Sequence, residues 1–175
     1  MKVILYMATT INGLIAKEND DVGWVSETEW ESFSGMIKKL GNMIIGRRTY
    51  EMMLKNDEFN KSDLNEIKTV VLTDDASLEI HNPQFIFTAK SPKETINILL
   101  NQEFETIMVC GGGELNGSFM KENLIDEIYL DIEPTVFGRG IKLFGDKTNF
   151  EAKLELLGVK NLSANEIQLH YKVLK

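Results

Sequence analysis

The chain has 175 residues, 43% hydrophobic and 26% charged, an ordinary balance for one globular domain over 1–175. Its 19 basic and 27 acidic residues give a net charge of −8, which argues against nucleic acid or an anionic membrane as a partner. The single cysteine, Cys110, excludes an internal disulfide and favours a reducing compartment, so we expect a cytoplasmic protein. No apolar run approaches the roughly 20 residues that a membrane span needs.

The first half of the chain alternates predicted strands and helices. A β-rich apolar run at 2–8 predicts a central strand, which an Asn12-Gly13 turn and a polar loop at 17–23 follow. Ser26 and Glu29 have the spacing of a capping box, so a helix is predicted to begin there. The elements expected next are a buried strand at 42–46, a helix at 47–54 and a loop at 56–66.

The second half of the chain ends in strands that have no helices between them. Its predicted elements are strands at 68–73 and 85–87, a capped helix from Ser91 to about 102, a strand at 107–110, a helix after three glycines, a strand at 125–133, and an antiparallel hairpin at 154–159 and 167–174. This order is typical of an α/β fold. We expect three layers, αβα, around a mixed, mostly parallel sheet with the antiparallel hairpin at its C-terminal end.

Two junctions in the chain have the order strand, glycine, helix. The glycines at 111–113 follow one apolar strand, and Gly46 follows another and precedes Arg47, Arg48 and Thr49. Backbone N–H groups at a helix N-terminus bind phosphate, and glycine lets the ligand approach closely. Because ligands of parallel sheets bind at the carboxyl ends of strands, we expect both junctions side by side at one edge.

Each junction has an alternative interpretation. The three glycines could form a tight turn without a ligand, and the two arginines could form a solvated basic turn. A Rossmann fingerprint is a third possibility, since Asp131 lies about where a ribose-binding acid falls. Against it, Asn116 occupies the position of the third glycine, and too few strands follow to complete a doubly wound nucleotide domain.

Four motifs occur in register along nearly the whole chain: NGLIA at 12–16, GRRTYE at 46–51, GGGEL at 111–115 and PTVFGRGIKLF at 134–144. With them the chain resembles the dihydrofolate reductase-like superfamily. The resemblance is greater to the C-terminal reductase domain of the bacterial bifunctional riboflavin-biosynthesis deaminase-reductase, which also occurs as free-standing proteins. The last motif favours that branch over true dihydrofolate reductases.

The resemblance implies an NADPH-dependent oxidoreductase that transfers hydride to a small molecule, a pyrimidine or pteridine. The activity implied is that of a 5-amino-6-(5-phosphoribosylamino)uracil reductase, a pyrimidine reductase of riboflavin biosynthesis. Dihydrofolate reductase activity and non-catalytic nucleotide binding stay open as alternatives. The resemblance also implies a homodimer, and the long apolar late strands offer an edge and a face to cover.

Carried over by motif, the resemblance implies a nicotinamide cofactor that lies across the strand ends. Its expected contacts come from four segments of the chain. They are the backbone of Ala8, Ile15 and Ala16 for the nicotinamide amide; Gly46, Arg47, Arg48 and Thr49 for phosphates; Leu72 and Thr73 for the adenosine; and Gly111, Gly112, Gly113, Glu114 and Leu115 for the pyrophosphate.

The candidate proton donor is Glu29. Reduction of a C=N bond needs a proton as well as a hydride, and the cofactor supplies only the hydride. Glu29 lies one helical turn before Phe33, and dihydrofolate reductases place their pocket carboxylate at a similar distance from an aromatic residue. The alternative is that Glu29 only closes the capping box at Ser26.

Other reactive side chains are poor candidates. His81 lies in a polar turn, His170 is expected to point outward from the last strand, and Cys110 has no basic neighbour in sequence. Two histidines and one cysteine cannot build a zinc deaminase site, and we expect no metal.

The sequence gives conflicting signals about the nicotinamide cofactor. Arg47 and Arg48 favour the 2′-phosphate of NADPH, whereas Asp74 and Asp75 after the next strand would repel it. We expect NADPH to be preferred, with weak discrimination against NADH.

Overall fold

In the computed structural model, which describes residues 1–75, 82–147 and 149–175, helices cover both faces of an eight-stranded sheet. A separate pair of short strands lies beside it. In chain order the elements are β1 (Lys2–Thr10), β2 (Leu14–Ala16), α1 (Glu27–Leu40), β3 (Asn42–Gly46), α2 (Arg47–Lys55), α3 (Glu58–Lys61), β4 (Lys68–Leu72), β5 (Phe85–Thr88), α4 (Pro92–Leu100), β6 (Thr106–Val109), α5 (Gly113–Lys121), β7 (Glu127–Glu133), β8 (Ile141–Lys142), β9 (Lys153–Asn161) and β10 (Ile167–Leu174).

The large sheet has the order β5-β4-β3-β6-β1-β7-β10-β9. Each neighbouring pair from β5 to β7 is parallel, whereas β10 is antiparallel to both β7 and β9. The predicted mostly parallel sheet with a terminal antiparallel hairpin is therefore confirmed. This strand order differs from that of a Rossmann domain.

Alternation along the central strands divides the core into two layers. In β1, Val3 and Leu5 pack in a cluster with α4 and α5, while Ile4 and Tyr6 pack in a second cluster with α1, α2 and α3. Successive side chains of a strand point to opposite faces, so a strand that is buried on both faces must be apolar throughout. The three predicted layers follow directly from this pattern.

Helix α1 begins and ends at residues that the sequence indicates, but half of its predicted capping box is wrong. The Ser26 hydroxyl accepts a hydrogen bond from the Glu29 backbone N–H at 3.0 Å, and Gly41 ends the helix with φ of 72°. The backbone N–H of Ser26, however, donates to Glu133 Oε1 at 3.1 Å rather than to Glu29. The Glu29 carboxyl is therefore not used as a cap.

The two glycine junctions are hydrogen-bonded to each other. Strands β3 and β6 are neighbours, and the Gly46 N–H donates to the Gly111 carbonyl at 2.7 Å. Gly111 has φ of +89°, and a Cβ on Gly113 would lie 2.3 Å from the Lys142 carbonyl oxygen, so neither position accepts a side chain. The prediction that both junctions lie at one edge is confirmed.

The stretch at 56–66 contains more structure than predicted. The short helix α3 lies within it, and Phe59 and Leu64 are buried in the same cluster as α2. Two apolar anchors in an otherwise polar stretch give too weak a periodicity to indicate a helix of one turn.

Candidate functional site

Two adjoining hollows open around the carboxyl ends of β3 and β6. The first, of about 550 Å³, is lined by both glycine junctions and is called the glycine lobe. The second, of about 520 Å³, lies between α1 and the α2–α3 segment; it includes four glutamates and is called the acidic lobe. The residues that line both lobes are Met7, Ile15, Val22, Thr49, Met52 and Cys110.

Most of the predicted cofactor residues line the glycine lobe, but three do not. Ala8 lines the acidic lobe instead. Gly111 is buried beneath the lobe, and Leu72 packs partly buried against the core. The predicted residues that do line the glycine lobe are Ile15, Ala16, Gly46, Arg47, Arg48, Thr49, Thr73, Gly112, Gly113, Glu114 and Leu115.

Two helices begin in the glycine lobe without a side-chain cap. Gly46 is the N-cap of α2 and Gly112 is the N-cap of α5, and no side chain among the described residues caps either helix start. Within the same residues, the nearest atom to a Cβ on Gly112 would be the Thr49 hydroxyl oxygen, at 3.7 Å. Uncapped N–H groups and the positive end of the helix dipole together suit an anion such as a phosphate.

Both arginines of the glycine lobe are paired with carboxylates. The Arg48 Nη2 atom lies 2.6 and 2.7 Å from the two carboxylate oxygens of Asp20, which belongs to the loop after β2. Arg47 lies 3.4 Å from Asp75 and 3.7 Å from Glu51. Asp74 and Asp75 line the lobe beside Thr73. A phosphate that binds these arginines therefore has to compete with Asp20 and Asp75.

Glu29 lines the acidic lobe on α1 and is only 3% exposed. Within the described ranges no hydrogen bond reaches its carboxyl group. Burial raises the pKa of this carboxyl well above its ordinary value of 4.5, and the negative charges of Asp131, Glu133, Glu58 and Glu166 raise the pKa further. A carboxyl whose pKa is raised favours the protonated form that a proton donor needs.

Asp131 belongs to a buried network behind Glu29 rather than to a ribose site. It is 1% exposed and accepts hydrogen bonds from the Tyr6 hydroxyl at 2.6 Å and from Gln168 Nε2 at 2.8 Å. The Tyr6 hydroxyl also lies 2.7 Å from the Ser32 hydroxyl on α1. This network ties α1 to β1, β7 and β10, so it fixes the helix that carries Glu29.

Sequence reasoning missed most of the acidic lobe. Its walls include Tyr6, Trp30 and Phe33 on one side and Met52, Met53, Asn56 and Glu58 on the other. The usable signal was helical spacing. Met52, Met53 and Asn56 follow Thr49 by three, four and seven positions, so they lie on the same face of the predicted helix as Thr49. Glu58 had no such signal, because it lies in the stretch predicted to be a loop.

The cysteine and the described histidine are not candidates for acid–base catalysis. Cys110 lines both lobes but is 3% exposed, and burial raises the pKa of its thiol. His170 stacks on Tyr129 at 4.0 Å and lies 2.9 Å from Glu127; His81 lies outside the described residues. In the part of the chain that the structure describes, no three potential metal ligands converge, and no helix is long and apolar enough to cross a bilayer.

Comparisons with known proteins find relatives along the whole chain. The chain is 33% identical over 174 residues to the uncharacterized protein YwjB of Bacillus subtilis, and the match covers 97% of each protein. It is 26% identical over 178 residues to the uncharacterized protein YyaP of the same organism, covering 97% of this chain and 94% of YyaP.

Solved structures with the same fold have lower sequence identity. A protein assigned to riboflavin biosynthesis from Shewanella superposes over the full length of both chains, with a TM-score of 0.81 and 21% identity. A pyrimidine reductase-like protein from Corynebacterium diphtheriae gives a TM-score of 0.75 with 16% identity, over 99% of this chain and 92% of that one.

A third solved structure is that of a larger protein. It is the diaminohydroxyphosphoribosylaminopyrimidine deaminase/5-amino-6-(5-phosphoribosylamino)uracil reductase of Thermotoga maritima, with a TM-score of 0.77 and 16% identity. The match covers 99% of this chain and 56% of that protein. Residues 1–168 match the model of the RibD C-terminal domain, and the chain therefore belongs to the family of RibD C-terminal domains.

Proposed function

We propose that this protein is an NADPH-dependent reductase that transfers hydride to a pyrimidine or pteridine, as the family's link to riboflavin biosynthesis suggests. The observation that carries the proposal is the two-lobed cleft. One lobe holds two uncapped helix N-termini and two arginines, and the other holds a buried carboxyl without a hydrogen-bond partner in the described chain. A nucleotide-binding protein without catalysis would need the first lobe but not the second.

The glycine lobe fits a dinucleotide in its chemistry. The helix starts at Gly46 and Gly112 would hold phosphate, and Arg47 and Arg48 would hold the 2′-phosphate. Ile15 lines both lobes, Ala16 lines the glycine lobe and Ala8 lines the acidic lobe, and these three residues would hold the nicotinamide. When bound, the cofactor supplies the hydride.

Glu29 would supply the proton. Its carboxyl lines the lobe next to the one assigned to the cofactor, and burial among negative charges raises its pKa, which favours the protonated form of the carboxyl. As hydride adds to the carbon of the substrate's C=N bond, the nitrogen of that bond would receive this proton. Trp30 and Phe33, whose ring centroids are 5.3 Å apart, form an aromatic wall against which a flat heterocycle could lie.

The glycine assignment is tested with Gly112→Val. A branched side chain at Gly112 should block approach of the cofactor phosphates to the α5 N-terminus, while the protein offers enough room for the fold to form. We expect NADPH binding, measured by calorimetry, to weaken by more than about 2 kcal/mol, or roughly thirtyfold. Gly158→Val on β9, where a Cβ meets nothing within 4 Å, is the matched control. Unchanged NADPH affinity in a folded Gly112→Val protein would leave the glycines as a structural turn.

The role of Glu29 is tested with Glu29→Gln. If the carboxyl is the proton donor, kcat should fall by about 10² to 10⁴-fold because general acid catalysis is lost, while NADPH affinity stays unchanged. Glu105→Gln, at an exposed residue that is not among the residues lining either lobe, is the control for removal of one carboxylate. Full activity of Glu29→Gln with a confirmed substrate would assign the proton to another group.

The same variant tests how the stability of the protein depends on pH. The folded-state pKa of Glu29 is raised, so its carboxyl contributes stability that is present below about pH 4.5 and lost as pH rises through the folded-state pKa. Gln does not ionise, so the Tm of Glu29→Gln relative to wild type should increase between about pH 5 and pH 8. A Tm difference that stays constant over this range would show that Glu29 ionises freely.

Cofactor preference is tested at Asp20. We expect NADPH to bind more tightly than NADH, but with weak discrimination because Asp20 and Asp75 occupy the arginines. Asp20→Asn should free Arg48 and tighten NADPH binding about three- to tenfold at low salt and by less at high salt. The affinity for NADH should not change. Asp63→Asn, which removes a carboxylate that is 92% exposed, is the control. Equal or tighter NADH binding by the wild type would show that the carboxylates set the preference.

We also propose that the protein is a homodimer through the edge strand β9. Leu154, Leu156, Leu157 and Val159 are 42 to 57% exposed along this strand, which is a long apolar edge for a single chain. Light scattering at micromolar concentration should give the mass of two chains, and Leu156→Glu with Val159→Glu should give one. Leu54→Glu, at a residue that is 48% exposed on α2, should leave the dimer intact. A monomeric wild type would refute this proposal.

A further inference from the structure

The acidic lobe has an unbalanced set of charges for a site that would hold a phosphorylated substrate. Four of its lining residues are glutamates: Glu27, Glu29, Glu31 and Glu58. Among the described lining residues, Lys61 is the one basic side chain. Phosphate sites in proteins normally supply arginine forks, lysines or uncapped helix N-termini, and this lobe is lined by four carboxyl groups instead.

Lys61 does little to offset this charge. Its ammonium group donates to the Asn56 backbone carbonyl at 2.8 Å, and the side chain lies at the exposed rim. It also lies close enough to Glu58 to interact with that carboxylate electrostatically. The positive charge is thus already opposed by a neighbouring negative one.

Two carboxyl groups of the lobe offer acceptors that the described part of the protein does not use. Glu58 Oε1 accepts from Asn56 Nδ2 at 3.2 Å, but Glu58 Oε2 is buried without a hydrogen-bond partner. Glu29 is 3% exposed, and no bond to its carboxyl is present in the described ranges. Buried acceptors are normally satisfied, so the unpaired carboxyl of Glu29 in the lobe wall is suited to a donor that arrives with a ligand, and Glu58 could receive one through Oε1 or after a small rotation that uncovers Oε2.

We propose that the substrate of this site carries no phosphate, and that the acidic lobe selects an uncharged or cationic nitrogen heterocycle whose N–H groups bind Glu29 and Glu58. The proposal rests on the proposed reductase function and names its substrate class. A protonated Glu29 can donate to a ring nitrogen through one oxygen and accept from an amino group through the other. Burial raises the pKa of Glu58, and the contacts with Asn56 and Lys61 oppose that shift. In its ionised form Glu58 accepts only, so it then favours donor-rich edges and repels anions.

The distribution of charge between the two lobes supports this selectivity. Arg47, Arg48 and both uncapped helix starts line the glycine lobe, so the groups suited to phosphate lie where the cofactor is proposed to bind. A phosphorylated substrate would meet carboxylates in its own lobe and would be attracted to the cofactor lobe. The Thermotoga maritima protein is named for a phosphoribosyl substrate, and this chain should differ from it in that respect.

Matched pairs of ligands that differ only in phosphate test the proposal. The first pair is 5-amino-6-ribosylaminouracil and its 5′-phosphate, and the second is dihydroneopterin and its monophosphate. Equilibrium dialysis against the full chain, with and without NADPH, gives each dissociation constant, and oxidation of NADPH at 340 nm gives kcat/KM. We expect the unphosphorylated member of at least one pair to bind at least about tenfold more tightly and to be the better substrate, with a ratio that decreases at high salt.

A charge variant shows whether the lobe causes the difference. Glu58→Gln should reduce the ratio of the dissociation constants of the phosphorylated and unphosphorylated ligands about threefold or more, because it removes a charge that repels phosphate. Glu105→Gln removes an equal charge just before β6, at the opposite edge of the sheet, and should leave the ratio unchanged. A narrowing of equal size in both variants would indicate net charge alone and would overturn the assignment to the lobe.

Two results would overturn the proposal. One is equal or tighter binding of the phosphorylated member in both pairs. The other is failure of all four ligands to bind a protein that binds NADPH normally. Failure to bind NADPH would refute the cofactor assignment separately, because the dialysis without cofactor still compares the members of each pair.

Discussion

The hydrogen bond from the Gly46 N–H to the Gly111 carbonyl holds together the point from which the site is built. It joins the carboxyl ends of two neighbouring parallel strands, β3 and β6. Helix α2 leaves one end toward the sheet face that carries α1, and α5 leaves the other end toward the opposite face. The two helix N-termini therefore converge at one place although the helices lie in different layers. Glycine is required at Gly111, which has φ of +89°, and at Gly113, where a Cβ would lie 2.3 Å from the Lys142 carbonyl oxygen, whereas larger side chains at Gly46 or Gly112 would fill the space in front of the helix ends.

A contact between residues that are distant in sequence leaves the Glu29 carboxyl free of a capping role. Because Glu133 on β7 binds the Ser26 backbone N–H, α1 is capped without using the Glu29 carboxyl. The Asp131 network anchors the same helix and adds negative charge behind it. A buried carboxyl that has no hydrogen-bond partner among the described residues costs stability, and the proposed role as proton donor would account for such a residue on an otherwise well-capped helix.

How much the sequence could predict depends on how local the determining interactions are. The strands, the glycine junctions and their shared edge follow from apolar runs and from the direction of parallel strands, and these were predicted. The cap at Ser26 was half wrong because Glu133 lies 107 positions away and nothing near Ser26 indicates it. Glu58 was missed because α3 is a single turn held by tertiary packing, and the Arg48–Asp20 pair because a loop without periodicity places Asp20.

The wall shared by the two lobes connects the proposed hydride transfer to the proposed proton transfer. Met7, Ile15, Val22, Met52 and Cys110 are apolar or nearly so, and Thr49 is the one hydroxyl among the residues common to both lobes. A dry wall suits hydride transfer, because water at this point would compete for the reacting groups. Burial of Glu29 removes solvation that would let its carboxyl ionise, and its pKa is raised for that reason first. In the proposed mechanism this apolar wall borders the path of the hydride, and the burial that raises the pKa of Glu29 favours the protonated form that its proposed role requires, at a cost to stability.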